Sequence, residues 1–504
     1  MILKTQKTVW RSAAAALALL AAAGPAGALT QSAAGGAAAP SDSGAMGVDR
    51  LRGLQDFVDG VMAQQTASHE VAGATLAVVH DGGLLFSEGY GYANVEAGVP
   101  VDPDLTLFRP GSVSKLFTWA ALMQQVEQGR VALDADVNAY IDFEIPPYEG
   151  RPVRVIDLMT HAPGMSDVSG ITAATLEDLA PYGDWIKQHV PERIWGPGEE
   201  IAYSNYGVAL AGYIVEQVSG EAFADYVETH VFAPLGMTST TFREPLPDAF
   251  QSRMANGYEF ENGHLVAQPF ELFSNIMPAG SGTSTAHDMA RFMLAMLNGG
   301  VYAGTRILEP ASVELLFSDS IRNAPDLPGM AHGFYVVREA GPRLVGHGGN
   351  TGDFHSNLIL APEHGFGFFV SVTGGDESSA GRTELTDAII GRVFPQEPAA
   401  REARPEGAPS PAGAYRVNRR NYANPPNEAY VITVEDAGAD AIRITNQGEA
   451  TYWERVGPMI YEKVTGARAG GPYDRVQFHG GDAGLVLSFS NQPYMAYRRL
   501  AAEE

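Results

Sequence analysis

Hydrophobic positions recur in two periods along the chain, and the period changes at identifiable turn residues. From Leu51 to Met62 the residues Leu51, Leu54, Val58, Val61 and Met62 fall at helical spacing. The next stretch, ATLAVVHDGGLLFSEGYG, has two strand-like runs around Asp81, Gly82 and Gly83 and predicts a β-hairpin. The same signal returns in HSNLILAPEHGFGFFVSV, with Pro362 to Gly365 between its runs, followed by a helix expected from Glu384 to Val393. Hairpins near both ends of one unit, each beside a terminal helix, predict a single antiparallel sheet that closes the domain on itself. The helical patterns between them then form a separate lobe, and a site falls naturally in the groove between lobe and sheet.

Composition shifts mark the boundaries. Lys4, Lys7 and Arg11, the run from Ala13 to Ala23 and the small residues Ala26, Gly27 and Ala28 have the layout of a signal peptide over residues 1–28. Residues 29–47, rich in Ala, Gly and Ser, predict a flexible tether, and 48–394 the main domain. The segment PQEPAAREARPEGAPSP, residues 395–411, has the composition of a semi-rigid linker. In residues 412–504 the short runs YVITVED, AIRITN, VQFHG and LVLSFS alternate with Gly, Asn and Asp turns, as in an all-β barrel or sandwich.

The totals narrow the function classes. At 504 residues and 45% hydrophobic content the chain supports more than one domain and a sizeable core. With 59 acidic against 33 basic residues the formal charge is -26, which repels phosphate backbones, so nucleic acid is not an expected partner. The chain has no cysteine, which excludes disulfides, thiolate chemistry and a lipid-modified N-terminal cysteine. After the leader no segment approaches the roughly 20 apolar residues of a membrane span. A periplasmic or secreted protein of a bacterium is the expected setting.

Candidate chemistry begins in FRPGSVSKLFTW, residues 108–119. Apolar residues occupy most faces from Leu116 to Met123, so this is a helix surrounded by protein, and its first turn is where polar groups can meet a groove. Ser112 and Lys115, three apart, share a face. A serine hydroxyl is a weak nucleophile until a neighbour takes its proton, and a desolvated lysine of lowered pKa can do so. The plainer alternative makes Ser112 a helix cap and Lys115 a side chain snorkelling to solvent.

In IAYSNYGVALAGYIVEQVSG, Tyr203 and Asn205 lie on a pre-helix loop and can point the same way, a phenol to shuttle protons and a carboxamide to bind an amide or hydroxyl. The alternative is that Asn205 caps the helix and Tyr203 packs. In LVGHGGNTGDFHS, His347 sits among glycines just before the second hairpin, where a substrate backbone can approach closely. A metal site from His347, Asp353 and His355 competes, without a helix-spaced ligand motif behind it.

Taken in order, these three stretches resemble the serine β-lactamase and penicillin-binding-protein superfamily, in the branch with class C β-lactamases, D-aminopeptidases, DD-carboxypeptidases and esterases. VIDLMTHAPGM, FAPLGMTSTTF and PAGSGTSTAHDMARFM are similar to its framework segments, and the resemblance covers about residues 50–395. It implies an α/β (α+β) domain, an antiparallel sheet with flanking helices plus a mostly helical lobe. It also implies Ser112 as acylated nucleophile, Lys115 as its proton acceptor or electrostatic partner, Tyr203 as proton relay and Asn205 as substrate holder. His347 takes the place of the lysine in the family's Lys-Thr-Gly element, Gly349 ends the triplet, and the backbone N–H groups of Ser112 and Asn350 meet the oxyanion. No metal or organic cofactor is implied. His-Gly-Gly in place of Lys-Thr-Gly removes a fixed cation and a hydroxyl, which argues against efficient β-lactam hydrolysis and toward peptidase or esterase members. His161 and His287 are expected to be structural. The C-terminal part resembles lipocalin-like β domains appended to some peptidases, able to shape substrate access or mediate oligomers.

The expectation is therefore an exported serine hydrolase forming an acyl-enzyme on an ester or amide, acting on D-amino-acid, short-peptide or small-molecule substrates, with no stable membrane span. The alternatives are a β-lactamase and a non-hydrolytic penicillin-binding or sensing protein.

Overall fold

A computed structural model of the chain describes residues 48–501 apart from 69–70, 376–377, 408, 426, 467 and 482–483. The leader and tether expected over 1–47 lie outside the described residues. Helix α1 (Leu54–Ala67) precedes the first hairpin, strands β1 (Gly73–His80) and β2 (Gly83–Asn94), with a short β3 (Val99–Pro100) after it. Late in the chain come β4 (Tyr335–Arg338), β5 (Leu344–Asn350), β6 (Phe354–Ala361) and β7 (Phe366–Thr373), then helix α5 (Ser378–Val393). They assemble into one seven-stranded sheet of order β3-β2-β1-β7-β6-β5-β4. β1 and β7 pair antiparallel with Gly73 opposite Thr373 and His80 opposite Phe366, so the two hairpins join as expected.

Alternation along these strands sorts the side chains into two cores. Leu76, Val78, Val370 and Val372 pack against Leu54, Val58, Leu385 and Ile389 of α1 and α5. Ala77, Val79, Leu358, Leu360 and Phe369 face the helical lobe on the other side. That lobe is built around α2 (Lys115–Glu127), α3 (Asn205–Ser219) and α4 (Ala286–Leu297). α2 is buried from Lys115 through Gln125 on every face, which is why its sequence shows no clean polar stripe.

The C-terminal part, from Gly413–Val417 to Tyr497–Arg499, is a closed barrel of eight sequentially paired strands, the first pairing back with the last. Its interior is filled by Tyr415, Ile432, Ile444, Trp453, Tyr461, Phe478 and Leu487. The described residues of the Pro-rich segment before it form no helix or strand, yet the segment is pinned to the barrel by Gln396 N–H to Gly470 O (2.9 Å) and Glu402 N–H to Arg455 O (3.0 Å). Among the described residues no helix is long and apolar enough to cross a membrane.

Candidate active site

The quoted stretch starts as a 3₁₀ turn, Gly111–Ser114, that runs straight into α2. Gly111 has φ of 55°, a left-handed backbone that glycine adopts without a Cβ penalty, and a Cβ there would come within 3.1 Å of Asn350 N. The turn aims Ser112 sideways into the groove while Leu116, Phe117 and Trp119 anchor the helix.

Lys115 neither snorkels nor reaches solvent. Its side chain is fully buried, and Nζ donates to Ser112 Oγ at 2.9 Å and to the Ala279 carbonyl. Burial, and then the nearby Arg419, push its pKa well below the ordinary lysine value, with the Asp167 carboxylate opposing them only in part.

Tyr203 and Asn205 sit at the start of α3, but the cap is Ser204, whose hydroxyl accepts the Gly207 N–H at 2.9 Å. Asn205 is thereby released from capping, and it lines the cavity that also exposes Ser112, Tyr203, His347 and Asn350. The cavity has a volume of about 700 Å³. Tyr203 Oη is buried and makes no hydrogen bond of ordinary geometry, although the Ser112 and Tyr335 hydroxyls lie within its reach. Burial raises its pKa, so the phenol keeps its proton.

His161 does more than fill space. It holds a left-handed φ of 53°, its Nδ1 accepts the Ser204 N–H at 3.2 Å, and its ring lies 4.2 Å from that of Tyr203. It braces the loop that presents the phenol. His287 instead pairs with Asp104 at 2.8 Å, remote from the site residues.

His347, on β5, stacks on Tyr335 at 4.2 Å. Burial and then the neighbouring Lys115 lower its pKa to about 3, so the ring is neutral and supplies no fixed cation where the motif expects one. Gly349 crosses the Ser112 turn so closely that a Cβ would fall 1.9 Å from Pro110 O and 2.9 Å from Ser112 N. This approach brings the backbone at Asn350 beside Gly111, so β5 and the serine turn share one corner of the cavity. His355 places Nε2 3.1 Å from Gly375 O and Nδ1 2.8 Å from the Asn350 side-chain amide instead of facing His347, and among the described residues no group of three His, Cys, Asp or Glu is arranged to hold a metal.

Three site residues were absent from the sequence expectations: Tyr335, Arg419 and Tyr494. The Arg419 guanidinium carbon lies 4.6 Å from the Tyr203 ring centre, and Tyr203 N–H donates to Tyr494 O at 2.9 Å. Arg419 and Tyr494 come from the barrel, whose residues carry no motif linking them to Ser112.

A seven-stranded antiparallel sheet with a helical lobe, carrying the Ser112, Tyr203 and His347 motifs at their junction, is the layout of the serine β-lactamase and penicillin-binding-protein superfamily. The model of the family described as Beta-lactamase matches residues 58–390, more than half of the chain, and the chain belongs to that family. Protein flp of Staphylococcus aureus (strain N315) is 25% identical over 334 residues, covering 63% of this chain and 62% of that protein. The match thus spans less than two thirds of that relative's length. Among solved structures, the octameric penicillin-binding protein homologue from Pyrococcus abyssi superposes over 88% of this chain and 100% of its own (TM-score 0.59, 21% identity). The D-amino acid amidase from Ochrobactrum anthropi SV3 covers 68% of this chain and 97% of its own (TM-score 0.54, 25% identity).

Proposed function

We propose that the protein is a serine hydrolase that opens an amide or ester through an acyl-enzyme on Ser112, with D-amino-acid or short-peptide substrates first and carboxylic esters second. The observation that carries this reading is the buried Lys115 amine, 2.9 Å from Ser112 Oγ and with its pKa held down by burial. A neutral amine there takes the Ser112 proton as Oγ bonds to the carbonyl carbon. The carbonyl oxygen, gaining the electron pair, meets the backbone N–H groups of Ser112 and Asn350. Tyr203, still protonated, passes a proton to the leaving nitrogen or oxygen as its bond to carbon breaks, and Lys115 returns a proton to the phenol. Water then attacks the acyl carbon, giving a proton to the neutral Lys115 amine, and the bond from the acyl carbon to Ser112 Oγ breaks as Oγ takes that proton back, restoring the free hydroxyl and the neutral amine. Asn205 holds an amide or hydroxyl of the acyl part. The D-amino acid amidase likeness supports the amide branch. An exported location rests on the leader sequence alone, and oligomerisation through the barrel is consistent with the octameric description of the Pyrococcus homologue.

The test is fluorophosphonate labelling together with turnover of nitrocefin, p-nitrophenyl esters, and D- and L-aminoacyl anilides by wild type and Ser112→Ala. Labelling and turnover that vanish in Ser112→Ala are expected. No Ser112-dependent labelling and no turnover of any substrate would leave a binding protein.

A further inference from the structure

The family motif lost its cation at His347, and the third element's hydroxyl position is Gly348. A charge nonetheless reaches the same cavity from the barrel. Arg419 is held between two anchors. On one side, Asn418 Nδ2 donates to Ile201 O at 3.0 Å, two residues before Tyr203, and Asn418 Oδ1 accepts the Ala496 N–H at 3.0 Å. On the other, the Arg420 carbonyl accepts the Asp167 N–H at 3.0 Å. The arginine is therefore presented by fixed backbone and not by a loose loop tip.

Its side chain is only 28% exposed, and its Nε lies 3.3 Å from Asp167 Oδ2. Asp167 and the surrounding phenols keep it charged even though burial works against the charge. Among the described residues its Nη nitrogens donate no hydrogen bond, and the side chain lines both the cavity that Ser112 also lines and a second, smaller one beside Asp167. Of the other cations of the wall, Arg382 donates to Ser356 O, Asn357 Oδ1 and Ser379 Oγ, Arg338 donates to Phe394 O and Pro342 O with its Nη2 enclosed in protein, and Arg475 pairs through Nε with Glu462, none of them beside Tyr203 as Arg419 is. A desolvated guanidinium with a free edge matches a carboxylate bidentately. Its place over Tyr203, the group that protonates the departing atom, puts that carboxylate on the leaving-group side of the scissile bond.

We propose that Arg419 binds a free carboxylate on the leaving group, so that the barrel completes the substrate pocket and selects acyl compounds whose leaving group is anionic. This rests on the serine-hydrolase reading above. The deleted motif cation is thus replaced from a different domain.

The test compares 3-(phenylacetoxy)benzoate with 3-(phenylacetoxy)benzamide, two aryl esters that differ in the leaving-group charge. Wild type should prefer the benzoate in kcat/KM, a result read without any variant. In Arg419→Met the benzoate should lose about 10- to 100-fold more than the benzamide, the scale of a hydrogen bond to a charged group, and Arg419→Lys should recover part of the preference. Fluorophosphonate labelling of Ser112 in each variant reports an intact nucleophile. Equal losses on both esters would show that Arg419 acts through Tyr203 or Lys115, and an absent wild-type preference would show that no anion is read; either overturns the proposal. Absence of both Ser112 labelling and ester turnover in wild type would instead overturn the hydrolase reading, and this one with it.

Discussion

Lys115 is a fully buried amine, and its chemistry depends on that burial. It accepts a proton from Ser112 only when neutral, and burial and Arg419 shift its pKa in the direction that favours the neutral form. Activity should therefore fall along an acid limb placed below the ordinary lysine value, as the amine gains a proton and loses its base function. Tyr203 is shifted the opposite way and stays a phenol on the alkaline side. A pH profile of kcat/KM checks this, and an acid limb at or above the ordinary lysine value would contradict the assignment of the base. At this scale the sequence was informative about Ser112, Lys115, Tyr203 and His347, because their spacing within each motif is local. It said nothing of the neutral state of His347, which depends on how much protein surrounds the ring. It gave His161 a structural role without indicating the contact, which is made through the Ser204 N–H beside Tyr203.

The elements meet where β5 crosses the serine turn, and glycine makes the crossing possible. In Gly349→Ala the added Cβ would lie 1.9 Å from Pro110 O, with Ser112 N and Val113 N within 3.0 Å. Backbone on both sides cannot yield as a flexible side chain would, so strand and turn must separate. The variant should lose about 1–3 kcal/mol of stability, the usual cost of overpacking, together with most of its activity, since the two backbone N–H groups then diverge. Urea denaturation and kcat/KM measure the two effects; a variant with wild-type stability and rate would show that the crossing is looser than this. Both hairpins, α1 and the terminal helix were legible as elements because strand alternation and helical spacing are short-range. The partnership of β1 with β7 followed from symmetry of pattern, while the 3₁₀ start of α2 did not, since a three-residue repeat and a helical turn place Ser112 and Lys115 on one face alike.

At the level of the whole molecule, burial of neutral imidazoles links stability to pH. His347 and His355 have pKa values lowered to about 3 and about 4, and His161 is also shifted down, each chiefly by burial. The unfolded chain binds protons on these rings below about pH 6.5, and the folded chain does not until far lower. Their contribution is complete above pH 6.5 and is lost as pH falls toward 4, at up to about 1.4 kcal/mol per pH unit for each of His347 and His355, with His161 acting in the same direction. Urea midpoints should drop steeply between pH 6.5 and 4; a flat profile would mean that the rings are already protonated or hydrated in the folded state.

Sequence alone determined the sheet domain, the presence of a separate β domain and the three motif stretches, since these depend on periodicity and on neighbours within a few residues. Only the tertiary structure decided that Arg419 and Tyr494 belong to the same cavity as Ser112. Barrel closure and the Asn418 and Tyr494 contacts carry them there across hundreds of residues, and no local pattern records a contact made at that separation.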